Sequence, residues 1–333
     1  MNIKDMKEYV IENDELKLTV LNYGAIITGI YTKDKKGNKE NVVAAFQHKE
    51  DYVQKPEPYL NAVVGPTAGR IAYGTYELDG KMQQLSLQGV HHLHGGNSGI
   101  SMKLFDVEKT KDCLHFHLET THEEDGYPKG IVVYDVIYKI QGNRLIMDFY
   151  ATPQSKMPLY MTSHLYFNLS GDLKRDITSQ TLYMDALKKV KIAKEGHPYK
   201  VVDIEKGSTF DFTTPRLLQD ILEKDEEEYT WTKGLDMPFI LTAGVIEMHD
   251  EQSGRHLKIE TTAPSVVVYS ANFFDDSFIL NQGKQAEPYL ALALEPQEIP
   301  NSLNLDGINV CAIHDKQHPF TQKTVYTFTT DAT

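Results

Sequence analysis

Ile131–Ile140 reads IVVYDVIYKI, and this stretch decides the fold class. Apolar or aromatic residues occupy every second position, a period typical of a β-strand with one buried face. Comparable stretches recur at Leu16–Leu21, Cys113–Glu119, Ser265–Phe273, Ala291–Leu294 and Thr324–Thr330. The sequence therefore predicts many short strands.

The segments between these strands have the composition of tight turns, which lets the chain reverse between antiparallel neighbours. Three such segments are Asp34–Lys39, Leu78–Lys81 and Gln141–Arg144. Helical periodicity is scarce. Its best candidate is Pro215–Lys224, with Thr213 or Thr214 available as a cap.

No linker rich in Gly, Ser and Pro divides the chain, and no segment of 20–50 residues repeats. We therefore expect residues 1–333 to form a single domain. The fold class we predict is all-β, a large antiparallel β-sandwich with few short helices.

The charge balance narrows the range of partners. The 333 residues include 34 Lys and Arg against 47 Asp and Glu, a formal net charge of −13. A nucleic-acid binder would need a basic face. The first residues form no secretory signal, and no apolar run approaches the ~18–20 residues of a membrane span. We expect a cytoplasmic protein, monomer or homodimer, that binds a small molecule and neither nucleic acid nor membrane.

Histidines cluster in Gly89–Gly96, which reads GVHHLHGG. In a strand, His92 and His94 would share one face, and such a pair is a candidate for metal binding. Alternatively, the two following glycines end the strand and leave His94 at a turn beside a ligand. A second pair, His115 and His117, alternates with apolar residues and indicates the polar face of an ordinary strand.

Four further residues are candidates for catalysis or ligand binding. His164 is flanked by hydroxyl-bearing residues, Glu295 follows an apolar strand where Pro296 stops the ladder, Asp236 precedes an apolar run, and Arg70 follows a glycine. Each has a structural alternative: a hydrogen-bonded core histidine, an ion pair, a turn-forming aspartate and a strand-edge arginine. The segment around Arg70 lacks the context of a phosphate loop.

Taken in order, these motifs resemble the aldose 1-epimerase family, almost end to end. The matching pieces are N-Y-G-A at Asn22–Ala25, G-R-I at Gly69–Ile71, Y-E-L-D-G-K at Tyr76–Lys81, L-H-G-G at Leu93–Gly96, D-G-Y-P at Asp125–Pro128, T-x-H-x-Y-F-N-L at Thr162–Leu169, F-D-F at Phe210–Phe212, G-L-D at Gly234–Asp236 and L-E-P-Q at Leu294–Gln297.

The resemblance implies a β-supersandwich that interconverts the α and β anomers of free hexoses such as galactose and glucose. It implies that Glu295 is the catalytic base and His164 the catalytic acid. It also implies that His94, Arg70 and Asp236 bind the sugar. The family commonly has Asn at the positions of Ser163 and Gly69, and these departures bear on sugar preference.

The chemistry agrees with these roles. Opening a pyranose removes a proton from the anomeric hydroxyl and adds one to the ring oxygen, so a base and an acid must flank the ring. A carboxylate with a pKa of about 4.3 can accept a proton, and we expect it to raise the protonated fraction of a nearby histidine. No electrons move and no water adds, so we expect no cofactor and no metal.

Three alternatives from other classes stay open. A glycoside hydrolase could use Asp236 and Glu295 as its carboxylate pair. A metal-dependent protein could use His92 and His94. A sugar-binding protein could keep the scaffold without the catalysis.

Overall fold

A computed structural model of the protein describes residues 3–308 and 311–331. Strands hold 46% of the residues and helices 9%, which confirms the all-β prediction. The strands in the first part of the chain are β1 (Glu8–Glu12), β2 (Lys17–Leu21), β3 (Ile27–Lys33), β4 (Lys39–Asn41), β5 (Val63–Val64), β6 (Arg70–Ile71), β7 (Thr75–Leu78), β8 (Lys81–Gln84), β9 (His92–Leu93), β10 (Asp106–Lys109), β11 (Cys113–Thr120), β12 (Val132–Gln141) and β13 (Arg144–Pro153).

The later strands are β14 (Met157–Pro158), β15 (Thr162–Ser163), β16 (Tyr166–Phe167), β17 (Thr181–Ile192), β18 (Pro198–Asp203), β19 (Arg216–Leu217), β20 (Asp236–Asp250), β21 (Arg255–Thr261), β22 (Ser265–Tyr269), β23 (Ile279–Leu280), β24 (Lys284–Gln285), β25 (Leu292–Gln297), β26 (Ile313–His314) and β27 (Phe320–Thr330). The α-helices are α1 (Asp51–Gln54), α2 (Leu218–Leu222) and α3 (Tyr229–Thr232). Single turns of 3-10 helix lie at Ile3–Asp5, Ala72–Gly74, Ile100–Met102, Glu123–Asp125, Asn281–Gly283 and Ser302–Asn304.

Most long strands join one antiparallel sheet in the order β10-β11-β12-β13-β27-β21-β20-β22-β25-β16, with β17 on β20 and with β18 and β19 on β17. A second sheet has the order β1-β2-β3-β4. The predicted turns at Asp34–Lys39 and Gln141–Arg144 connect neighbouring antiparallel strands in these sheets. The turn at Leu78–Lys81 connects β7 and β8.

The core lies between the two sheets. Every second residue of β12, from Val132 to Ile140, is at most 3% exposed, which matches the alternation of the deciding stretch. These side chains share one core with Leu18 and Val20 of the smaller sheet. The Tyr138 hydroxyl donates a hydrogen bond to the carbonyl of Ala25 at 3.0 Å, so the two layers pack face to face as a sandwich.

Two local expectations need correction. The predicted helix is only the five residues of α2, because the chain before it pairs with β17 as β19, and no side chain caps the helix. Pro296 does not stop β25, since it pairs with Val266 inside the sheet. Cys113 and Cys311 are free thiols, the first partly buried and the second exposed.

At one end of the large sheet, the strand register brings together residues that line a cavity. Ala293 of β25 pairs with Tyr166 on one side and Tyr269 on the other, and Tyr269 pairs with Asp236. The register therefore sets residues from four strands side by side. Within residues 3–308 and 311–331, no helix has the length and apolar character needed to span a membrane.

Candidate active site

The five residues singled out from the sequence line the same cavity. It has a volume of about 490 Å³, and Arg70, His94, His164, Asp236 and Glu295 all contribute to its wall. This volume is ordinary for a small-molecule site. Their roles stay predictions, but their convergence from distant parts of the chain is a property of the fold.

Two short strands hold His164 in place. It lies between β15 and β16, its backbone N–H donates to Ala62 at 2.9 Å, and its carbonyl accepts from the N–H of Asn61 at 3.0 Å. The Asn61 side chain also accepts from the N–H of Tyr166 at 3.0 Å. The imidazole stacks on the Tyr166 ring at 4.8 Å between centroids, which fixes its plane.

Glu295 projects from the middle of β25 and is 3% exposed. The next carbonyl, that of Pro296, accepts hydrogen bonds from Thr162 Oγ1 at 2.8 Å and from Gln322 Nε2 at 2.9 Å. Thr162 is two residues before His164. The hydrogen bond from Thr162 therefore ties the strand that carries the carboxylate to the segment that carries the imidazole.

His164 Nε2 lies 3.4 Å from Glu295 Oε1. Burial, reinforced by the charge of Arg70, lowers the pKa of His164 to about 3. His164 Nδ1 is buried with no hydrogen-bond partner among the described residues, so a protonated ring would carry an unsatisfied donor. Burial, together with the charge of Asp236, raises the pKa of Glu295 well above its usual value.

These directions of the two pKa shifts correct one expectation. The sequence interpretation held that a nearby carboxylate would favour the charged histidine. In this pocket desolvation outweighs that attraction, because both groups lose water and gain few hydrogen bonds in return. The unliganded pair therefore favours neutral His164 with protonated Glu295. Neutral His164 with protonated Glu295 carries one proton, the same number as an ion pair of the two groups.

His94 occupies a turn, as its glycine neighbours indicated. Its φ is +49°, and a side chain at Gly95 would collide with the carbonyl of Gly65. The N–H of Gly69 donates to His94 Nδ1 at 3.1 Å, which leaves the ring proton on Nε2. Burial and neighbouring positive charge keep the pKa of His94 well below its usual value. His94 is therefore a neutral donor at the cavity wall.

His92 does not share this orientation. One ring nitrogen lies 2.8 Å from the Ser86 carbonyl and must donate to it, so the other accepts from the Tyr127 hydroxyl at 2.7 Å. The Tyr127 oxygen lies 2.7 Å from Thr67 Oγ1. Both nitrogens of His92 are therefore engaged. A metal ion held by His92 and His94 together would require breaking this network, so the structure disfavours that alternative.

The D-G-Y-P motif supports the loop that carries His94. Burial alone would raise the pKa of Asp125, but hydrogen bonds from Ser86, Ser98 and Asn97 hold it below its usual value. The backbone N–H groups of Asn97 and Ser98 donate at 2.9 and 2.7 Å. This motif is thus a structural support.

Arg70 and Asp236 are charged and half-buried, and neither side chain makes a hydrogen bond or salt bridge to any other described residue. Burial raises the pKa of Asp236, and the charge of Arg70 opposes that rise. Both side chains line the cavity. Charged groups left unpaired in a pocket are well suited to bind ligand hydroxyls.

The sequence interpretation missed the aromatic wall. Tyr59 lies 4.5 Å from His94 between ring centroids and faces His164 at 6.5 Å. Tyr269 and Phe273 also line the cavity, and Phe273 is 57% exposed. Tyr269 sits in a stretch recognised as a strand, yet nothing in the sequence shows which face of that strand meets a cavity.

The two departures from the family pattern differ in position. Ser163 is 2% exposed and does not line the cavity, whereas Gly69 does. Gly69 has φ +76°, and a Cβ there would lie 2.7 Å from the Cβ of Pro300. A larger residue at Gly69 would need both another backbone conformation and a shift of Pro300. Of the two departures, only that at Gly69 alters the cavity wall.

Comparison with known proteins supports the motif assignment. The aldose 1-epimerase family model matches residues 7–327. Galactose mutarotase of Bos taurus is 30% identical over 90% of this chain and 87% of its own length. Aldose 1-epimerase of Escherichia coli K12 is 28% identical over 88% of this chain and 86% of its own length.

Solved structures agree with the sequence relatives. An aldose epimerase homologue from C. elegans superposes with a TM-score of 0.89 at 26% identity, over 98% of this chain and 99% of that one. Galactose 1-epimerase from Lactobacillus acidophilus gives 0.84 at 25% identity, over 98% and 95%. The chain therefore belongs to the aldose 1-epimerase family and is an isomerase of the mutarotase type.

Proposed function

We propose that this protein interconverts the α and β anomers of free hexoses, with galactose and glucose as substrates. The observation that carries the proposal is the cavity in which His164 Nε2 lies 3.4 Å from Glu295 Oε1, beside the unpaired charges of Arg70 and Asp236. We treat residues 1–333 as one functional domain, because segments from Lys55 to Pro300 line this cavity.

Glu295 accepts the proton of the C1 hydroxyl, and His164 donates a proton to the ring oxygen as the C1–O5 bond breaks. The open aldehyde rotates about C1–C2. Closure on the other carbonyl face returns the ring-oxygen proton to His164 and the hydroxyl proton from Glu295. Atoms and charge balance without an external reactant.

The number of protons that the pair needs fits this cycle. One shared proton is enough for one acid and one base. The reactive arrangement places that proton on His164, whereas burial alone favours it on Glu295. The charge of Arg70 favours the carboxylate form of Glu295. Hydrogen bonds from the sugar hydroxyls replace hydration that the carboxylate lost, so substrate binding favours the reactive arrangement.

His94, Arg70 and Asp236 position the sugar. His94 donates from Nε2, Arg70 donates from its guanidinium and Asp236 accepts from a hydroxyl. Orientation of the ring between acid and base adds to the proton-transfer effect. The pocket provides both hydrogen-bonding capacity and an aromatic wall for a hexose, with Tyr59 and Tyr269 on its sides.

Polarimetry on freshly dissolved α-D-galactose and α-D-glucose tests the proposal. We expect a faster approach to the same final rotation than in buffer alone, and the ratio of the two rates ranks the sugars. Saturable binding without acceleration would favour a sugar-binding protein. Release of reducing sugar from a glycoside would favour a hydrolase.

A further inference from the structure

A second group of histidines lies on the outer face of the large sheet, on strands at the far end of its order from β25. Leu114 and Phe116 of β11 face the core, so the alternation turns His115 and His117 outward. Asp135 of β12 pairs directly with His117 and faces the same way. The three side chains are between 32% and 42% exposed, so solvent reaches them.

The two imidazoles converge on one oxygen atom. His115 Nε2 lies 2.7 Å and His117 Nδ1 lies 2.9 Å from Asp135 Oδ1. One ligand atom from each of the three side chains lies within 4.8 Å of the others. Two histidines at positions i and i+2 and a carboxylate on the next strand thus form a triangle of donor atoms.

Further carboxylates surround this triangle. In β10, Asp106 is opposite His117 and Glu108 is opposite His115, and directly opposite residues share a face. Glu119 Oε1 lies 3.8 Å from His117 Nε2, the nitrogen that points away from the triangle. A carboxylate behind a ligating histidine fixes its orientation and raises its basicity.

We propose that His115, His117 and Asp135 form a binding site for a divalent transition-metal ion such as Zn²⁺, with water completing the coordination. Two imidazoles and one carboxylate are a ligand set that Zn²⁺ accepts, and open positions are compatible with its chemistry. Tetrahedral Zn²⁺ with bonds of about 2.0–2.2 Å sets its donors about 3.3–3.6 Å apart. The two histidine nitrogens, now 2.7 and 2.9 Å from Asp135 Oδ1, would therefore move outward by about 0.4–0.9 Å when the ion binds.

This site is separate from the sugar pocket, so it has no direct part in proton transfer. A metal here would join β11 to β12 through side chains and stabilise that end of the sheet. The ion would bind the folded protein preferentially, because the three ligands come together only through the strand register.

A second cluster offers a matched control. His249 and His256 are directly opposite on β20 and β21, and Asp331 lies near both. Their rings stack face to face at 3.8 Å between centroids, and only His256 approaches Asp331 within hydrogen-bond distance, at 2.6 Å. This cluster resembles the proposed site in composition but not in the convergence of both imidazoles on one oxygen.

The experiment is isothermal titration of ZnCl₂ into untagged, chelator-treated protein. We expect one Zn²⁺ per chain and at least a tenfold loss of affinity in His117→Ala and in Asp135→Asn, with wild-type affinity in His256→Ala. Mutarotation by all three variants should equal that of the wild type. Asp135→Asn keeps the inference testable if His117→Ala does not fold.

Three results would overturn the inference. One is the absence of binding heat at millimolar Zn²⁺. The second is unchanged affinity in both cluster variants, which would place the ion elsewhere. The third is a loss of affinity in His256→Ala alone, which would assign the ion to the control cluster.

Discussion

Two of the histidine–carboxylate pairs among the described residues lie in opposite surroundings. His164 and Glu295 meet at 3.4 Å inside the cavity, at 7% and 3% side-chain exposure. His117 and Asp135 meet at 2.9 Å on the outer face of the sheet, at 42% and 32%. Burial lowers the pKa of His164 to about 3, whereas the hydrogen bond to Asp135 raises the pKa of His117.

The difference teaches that proximity to a carboxylate does not by itself charge a histidine. At the surface, both partners keep much of their hydration and the attraction decides the shift. In the pocket, the loss of hydration decides it. The buried pair is therefore held in its less charged form, and the proposed reaction requires the substrate to shift its proton to His164. The exposed pair needs no such shift, because it keeps much of its hydration.

The largest effect on kcat is expected when the buried pair is broken. His164→Ala removes the proposed acid, and we expect kcat to fall by about 10²–10⁴-fold, the usual contribution of a general acid. Polarimetry with α-D-galactose measures it. His115→Ala, which alters the exposed cluster, serves as control and should keep the wild-type kcat. Near-normal turnover in His164→Ala would remove this residue from the mechanism.

Direct titration sharpens the comparison. In a protein labelled with ¹³C at the histidine rings, we expect no protonation of His164 between pH 5 and 8, because its pKa is about 3. His117 should titrate above the ordinary histidine pKa of about 6.5. The titration is done without sugar. A His164 resonance that moves with a midpoint near 6.5 would contradict the account of its desolvation.

Binding is expected to depend on the unpaired charges. Arg70→Ala and Asp236→Ala should each raise KM by about 10–100-fold, because a hydrogen bond to a charged group contributes about 1.5–3 kcal/mol. Lys55→Ala is the control, since Lys55 also lines the cavity but already donates to the Ser277 carbonyl at 2.9 Å. An unchanged KM in both charge variants would mean that neither residue positions the sugar.

The smallest effect concerns stability. Because the folded pKa of Glu295 is raised, its ionisation destabilises the fold as pH rises from its unfolded pKa through its folded pKa. Glu295→Gln removes that cost, and we expect a gain of about 0.5–2 kcal/mol at pH 8 that vanishes near pH 4. Thermal unfolding at the two pH values measures it.

Removing the carboxylate of the exposed pair should change the stability in the opposite direction. Burial alone would raise the pKa of Asp135, but hydrogen bonds from His117 and His115 hold it below its usual value. Its contribution is present above the unfolded pKa and lost as pH falls. Asp135→Asn should therefore lower the melting temperature slightly at neutral pH, by an amount that solvent screening keeps small. A gain in both variants would show that burial does not set the sign.

The sequence predicts the fold well where alternation is strong. The stretch at Ile131–Ile140 forms β12 nearly to its predicted limits. Local rules fail where tertiary contacts override them. Pro296 stays inside β25, in the same ladder in which Leu294 pairs with Val268 of β22. The start of the helix predicted at Pro215–Lys224 pairs with β17 as β19 instead.

The site is predictable to the extent that motifs carry it. His94, His164 and Glu295 were selected from their local sequence and do line one cavity. Tyr59 was missed because its contact with His94 joins segments that are distant in sequence. The exposed cluster shows the same limit. The outward face of His115 and His117 was predicted, but the approach of Asp135 depends on a register that neither strand reveals alone.

The most direct test of the account compares single carboxylate-to-amide changes in the two pairs. Polarimetry of fresh α-D-galactose is recorded with equal concentrations of wild type, Glu295→Gln and Asp135→Asn. We predict that wild type and Asp135→Asn accelerate mutarotation equally and that Glu295→Gln has almost no activity. Near-wild-type acceleration by folded Glu295→Gln would contradict the claim that the buried pair carries out the reaction.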